Sequence, residues 1–160
     1  MTNPNELAVK NVLDTWYSRV KATDDLLNSL SDEQLQKEIA PGKNRGIYLV
    51  GHLTAVHDMM LPLLNFEAQN YPQLNDTFLT KPDKAVADLP SVSDLRLYWK
   101  NANTKLAEHF SKVSTDDWFL KHNSVSAEDF AKEPHRNRLN IVIGRTTHLA
   151  YHLGQLILLK

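Results

Sequence analysis

Arg145-Thr-Thr-His148-Leu-Ala-Tyr-His152-Leu-Gly-Gln155-Leu156 is the stretch whose reading decides the fold. Two histidines four residues apart stack one turn above the other on a helix, about 6 Å between Cβ atoms. Leu149, Leu153, Leu156, Leu158 and Leu159 accompany them, so this face reads as interior. Buried imidazoles need partners, and one ion shared by both is a way to supply them. The rest of the chain must then provide a third ligand and the helices that enclose it.

Working outward, Pro4 suits the first helical position after Asn3, and helical periodicity runs from there to about residue 30. Val9, Val12, Leu13, Trp16, Tyr17, Val20, Leu27 and Leu30 form its apolar stripe. Ser31-Asp-Glu-Gln34 predicts a capping box and a short helical piece to 38, and Pro41-Gly42-Lys43-Asn44 predicts a turn. The segment 47–64 is the most apolar helix, with Pro62 placed to kink or end it. Residues 69–90, with Pro72, Pro82 and Pro90, lack strand-like alternation and read as a surface crossover. Ser91 caps a helix to about 113 whose buried side carries Leu95, Tyr98, Trp99, Ala102, Leu106 and Phe110. Ser114 caps a short turn with Trp118 and Phe119, residues 121–138 read as polar and irregular, and the last helix starts near 140. Four long helices with one or two long crossover connections predict an all-α four-helix bundle, a single domain over 1–160.

Composition narrows the function classes. The net charge of -1 without a basic block leaves no electrostatic footprint for nucleic acid or an anionic membrane. Cysteine is absent, which removes disulfides, thiolate ligands and a cysteine nucleophile, so any metal is held by nitrogen and oxygen donors. The first residues show no basic-then-apolar signal pattern and no run of eighteen apolar residues occurs, so the expected location is the cytoplasm.

Of the seven histidines, three fall on apolar helical faces: His52, His148 and His152. His57 lies about 140° round the helix from His52, beside Asp58, and is expected near the surface. His109 is placed to complement a helix C-terminus, and His122 and His135 fall in the polar loop. Three imidazoles from two facing helices make a nitrogen site with open positions for water or substrate, provided the two helices are neighbours. The competing reading is three separate core histidines satisfied by backbone or tyrosine groups. Gln155, three residues after His152, either bonds a ligand or fills a polar spot in the core. Tyr48 and Tyr151 are the other expected pocket residues, and Gly154 either permits close packing or only weakens the helix. Arg136 and Arg138 read as solvated loop charges, the alternative being a carboxylate clamp. The glutamate of His-Glu-x-x-His is missing, as are a Gly-rich phosphate loop and a Gly-x-Ser-x-Gly elbow.

These residues resemble the DinB/YfiT-like superfamily. Gly51-His52-Leu53 looks like its first ligand helix, Thr115-Asp-Asp-Trp118 like its short acidic-tryptophan turn, and His148-Leu-Ala-Tyr-His152-Leu-Gly-Gln155 like its closing helix. The resemblance implies a four-helix bundle, often a homodimer, with a divalent metal on His52, His148 and His152. Zinc or nickel is the expected ion, with iron or copper as alternatives. It implies a metal-dependent enzyme acting on a small molecule, in which the metal activates water (a hydrolase) or an external low-molecular-weight thiol (an S-transferase or isomerase). The alternatives are a non-catalytic dimeric bundle that binds metal or a small ligand, and a bundle whose histidines are structural relics.

Overall fold

Asn3 opens the first helix by accepting a hydrogen bond from the Asn5 amide with its side chain, and Pro4 follows at the first helical position, where a missing N–H costs nothing. In the computed structural model, which describes residues 3–160, helix α1 then runs Pro4–Ser29. The Ser31 capping box forms as expected and starts the one-turn α2 (Asp32–Leu35). Helix α3 spans Gly46–Asp58, and α4 (Met60–Leu63) continues it after a break at Met59. Pro62 explains the break, since it cannot donate to the Asp58 carbonyl. Ser91 caps α5 (Val92–Phe110), Ser126 caps the short α6 (Ala127–Lys132), and Asn137 caps α7 (Arg138–Leu156). No strand occurs among the described residues, and the fold is the expected all-α bundle, built on the long helices α1, α3, α5 and α7.

Helix α1 lies along α7 and α3 along α5, while α3 also faces α7. That adjacency is the one the histidine argument required. Two apolar clusters fill the interior. One gathers Leu26, Leu49, Leu53, Leu95, Trp99, Leu149 and Leu156, and the other gathers Trp16, Met60, Leu61, Leu106, Phe110, Trp118 and Val142. Each fully buried side chain of this size contributes about 1.5–3 kcal/mol relative to exposure.

The segment read as a surface crossover is not on the surface alone. Leu74 and Phe78 are buried, and Asp76–Thr80 forms one π-helical turn. Residues 70–83 run back along α3, tied to it at successive turns. The buried Asp58 carboxylate accepts the amides of Asn70 (3.0 Å) and Tyr71 (2.8 Å). His52 Nδ1 donates to the Phe78 carbonyl (2.8 Å), and the Tyr48 hydroxyl donates to the Lys81 carbonyl (2.6 Å). At the far end Asp83 accepts from the Arg45 amide (2.7 Å) and guanidinium (2.7 Å). The connector is thus a strap whose middle fastening is a candidate ligand.

Three smaller corrections follow from burial. Residues 121–138 are not wholly irregular: α6 lies among them, Val125 and His122 are buried, and the Asn123 amide donates to Leu63 (2.9 Å). Leu158 and Tyr17, expected inside, are exposed. His57 is fully buried rather than near the surface. Every residue of α3 except His52 is buried, so the helix has no solvent side to which a polar residue could be assigned by rotation.

Candidate metal centre

His52 comes from the middle of α3, and His148 and His152 from successive turns of α7. Their Nε2 atoms converge. His148 Nε2 stands 3.1 Å from His52 Nε2 and 3.1 Å from His152 Nε2, and one nitrogen from each residue falls within 4.8 Å of the others. The three residues therefore form a group able to hold a metal ion. They are only partly buried, and His52 is where α3 opens outward.

The outer partners set the tautomers. The Phe78 carbonyl and the Gln155 Oε1 can only accept, so His52 Nδ1 donates to the first (2.8 Å) and His152 Nδ1 donates to the second (2.7 Å). Both leave an Nε2 lone pair facing the centre, which is the form a metal ligand takes. His148 has one Nε2 proton at most, so it cannot satisfy both neighbours by hydrogen bonding. A cation at the convergence point satisfies all three, and the donor set fits one.

Electrostatics favour the same state. Burial, then the neighbouring His152 and His52, then Arg145, push His148 down to about 4. Burial also lowers His152, against the hydrogen bond it donates to Gln155, which raises it. Neutral imidazoles at pH 7 are ready to ligate without releasing a proton.

Of the expected pocket residues, Gln155 holds His152 and donates through Nε2 to the Tyr151 hydroxyl (3.2 Å). Tyr151 is exposed and meets His152 edge-on at 5.0 Å. Tyr48 stacks nearly parallel to His52 (6.4 Å, 9°), but its hydroxyl is committed to the strap. Arg136 pairs with Glu133 (3.2 Å), as a loop charge would. Gly154 has nothing within 4 Å of a notional Cβ, so among the described residues no neighbouring helix packs closely there. Replacing Gln155 by alanine is expected to weaken metal binding about 10–100-fold, the usual cost of removing an outer partner of a ligating histidine. Competition with a chromophoric chelator checks it.

His57 is the residue that sequence reasoning misplaced. It lies between Trp16 and Trp99, each ring centroid 4.7 Å away, and its Nδ1 donates to Asn103 Oδ1 (2.8 Å). Asn103 is oriented by its own bond from Nδ2 to the Trp99 carbonyl (2.9 Å), which leaves His57 Nε2 a buried lone pair without a donor. Burial drives His57 down to about 3. The unfolded chain takes up this proton near pH 6.5 and the folded chain only near 3. The associated stability is therefore complete above about 6.5 and declines as pH falls toward 3. Between pH 7 and pH 5 the group is expected to cost about 2 kcal/mol, measured by urea unfolding of the metal-free protein. A His57→Leu variant should lose that part of the slope.

The family model for the DinB superfamily matches residues 16–156. The chain belongs to the DinB superfamily. The segments 51–53, 115–118 and 148–155 lie inside the match, and with them His52, His148 and His152. Among solved structures it is similar to a conserved protein from Enterococcus faecalis, with a TM-score of 0.61 over 98% of this chain and 95% of that one at 12% identity. At that identity the likeness concerns the DinB fold alone. No curated protein matches the chain. No helix among the described residues is long and apolar enough to cross a membrane.

Proposed function

We propose that the chain is one domain over 1–160 and a metal-dependent enzyme of the DinB superfamily, with His52, His148 and His152 as the ligands of one divalent ion. The observation that carries this reading is the convergence of three Nε2 atoms, two of them fixed as lone pairs by acceptors on the far side of the ring. Zinc or nickel suits an all-imidazole set, and iron or copper is compatible with it. Such an ion, when bound, lowers the pKa of a coordinated water or thiol and so supplies a nucleophile near neutral pH.

The chain's own groups orient and hold. The Phe78 carbonyl and Gln155 keep the Nδ1 protons of His52 and His152 in place, and the strap fixes the His52 ring against Tyr48. Three protein ligands leave the remaining positions to a small-molecule substrate and a co-substrate, either water or an external low-molecular-weight thiol. Exposed Tyr151 on α7, with Ile157 and Leu158 just beyond its end, supports a homodimer, and the location proposed is the cytoplasm.

A second reading is a non-catalytic binder of metal or a small ligand. It is favoured by one observation: among the described residues no aspartate or glutamate joins the three-histidine group. Assaying the metal-loaded protein on a panel of esters, amides and soft electrophiles, with and without an added thiol, separates these. Turnover that requires thiol supports transfer, and cleavage without thiol supports hydrolysis. A loaded protein inert in both arms would leave the binding module.

A further inference from the structure

Four fastenings of the strap come from α3 and its N-cap: Arg45, Tyr48, His52 and Asp58. The middle two act as a pair. Tyr48 and His52 lie one helical turn apart with their rings nearly parallel (6.4 Å, 9°). His52 Nδ1 donates to the Phe78 carbonyl (2.8 Å), and the Tyr48 hydroxyl donates to the Lys81 carbonyl (2.6 Å). Phe78 belongs to the π-helical turn Asp76–Thr80, and Lys81 is its C-cap. The last carbonyls of a helix lack partners of its own, so His52 and Tyr48 together cap the strap's single turn. The Phe78 ring is seated over Gly51, where a Cβ would stand 2.2 Å from it, so the strap meets the α3 backbone immediately beside His52. Beyond the turn, the Asp83 carboxylate, its side chain only 4% exposed, is locked to Arg45 at 2.7 Å.

This geometry makes one ligand depend on the strap. A neutral imidazole carries a single proton, on either nitrogen. While the Phe78 carbonyl accepts from Nδ1, the proton stays there and Nε2 keeps the lone pair that a cation needs. With the strap lifted, Nδ1 loses its acceptor and the proton is free to move to Nε2, the atom that faces His148 at 3.1 Å. Only the two imidazoles of α7 then remain to ligate. The dependence runs both ways, because an ion on Nε2 keeps the proton on Nδ1 and so preserves the donor that holds Phe78.

We propose that docking of residues 70–83 and metal occupancy are coupled through His52, with Tyr48 and Asp83 as positioning residues. The docked strap holds His52 in its ligating form, and the loaded site clamps the strap. This rests on the metal-site reading and deepens it by giving that site a regulatory element. Whatever lifts the strap weakens the site.

The test compares amide hydrogen exchange of residues 70–83 in metal-free and zinc-loaded wild type, with zinc content measured by elemental analysis. Residues 121–135, which make no bond to the three histidines, serve as the control segment. Zinc is expected to slow exchange of the strap about 10–100-fold, the range for an outer partner of a ligating histidine, and to leave the control unchanged. A Tyr48→Phe/Asp83→Ala variant removes two fastenings and no ligand. Its strap should exchange faster without zinc, and its zinc affinity, read by chelator competition, should fall by no more than the slowing factor of wild type, since both report one coupling constant. Strap exchange indifferent to zinc, or equal slowing in both segments, overturns the proposal. So does wild-type zinc affinity in a double variant whose strap exchanges freely, the result expected of fastenings that only stabilise the fold. Should the double variant fail to fold or keep its strap protected, the wild-type comparison decides alone. A wild type that takes up no zinc removes the metal reading and the coupling together, whereas a loaded protein with an indifferent strap removes the coupling alone.

Discussion

In a His148→Ala variant, metal content after reloading is expected to fall to background while the helical fold persists. His148 is the hub of the cluster, its Nε2 being 3.1 Å from both of the others, and no other histidine, aspartate or glutamate among the described residues joins the group. Removing it leaves two imidazoles on different helices and no replacement donor. The loss should exceed the 10–100-fold expected for Gln155→Ala, because a ligand rather than its outer partner is gone. Folding should survive, since the ring is only partly buried and its removal relieves an unpartnered Nδ1. Elemental analysis beside far-ultraviolet circular dichroism checks both halves. Metal retained near wild-type stoichiometry would mean that the ion, if any, binds elsewhere.

The second large effect is expected at Gly51, which touches no metal. A Cβ built there would stand 2.2 Å from Phe78 Cε1, 2.4 Å from Cζ and 2.5 Å from Cδ1. Phe78 cannot step aside cheaply, being buried and packed against Tyr48 at 5.7 Å. Overpacking of this kind costs about 1–3 kcal/mol. The better helix propensity of alanine offsets up to about 1 kcal/mol of it. At full offset Gly51→Ala should still be less stable by up to about 2 kcal/mol, and a 160-residue chain then loses up to several degrees in Tm. A second effect is particular to this site. Moving Phe78 moves the carbonyl that holds His52, so metal affinity should fall about tenfold in the same variant. Gly154→Ala is the internal control: with open space around it, the change should be neutral or stabilising and leave metal binding alone. Thermal unfolding and chelator competition on the two variants separate backbone propensity from the strap.

The contrast between these glycines shows what was legible beforehand. Helix starts were, because Asn3-Pro4, Ser31-x-x-Gln34 and Ser91-x-x-Asp94 cap by local chemistry that needs no tertiary information. The assembly of His52, His148 and His152 was legible too, since helical spacing put all three on apolar faces and only the adjacency of α3 and α7 had to be supplied. The strap was not. Residues 70–83 have no period of their own and are held by long-range bonds to Asp58, His52, Tyr48 and Arg45, which a local reading cannot see. His57 failed for a related reason. Rotation about a helix predicts exposure only when one side faces water, and α3 has no such side. Gln155 and Phe78 show the limit most clearly, because one outer partner sits three residues from its histidine and was singled out, as a residue for a ligand or a polar core spot, whereas the other sits 26 residues away and was not.

The central claim is that three imidazole nitrogens hold one metal, and X-ray absorption at the metal edge of the reloaded, untagged protein reads that directly. The account predicts about one ion per chain with a first shell containing three imidazole nitrogens, at about 2.0–2.1 Å if the ion is zinc, and light-atom positions left for exchangeable ligands. A shell made of oxygens alone, or a protein that retains no ion after reloading, would contradict it.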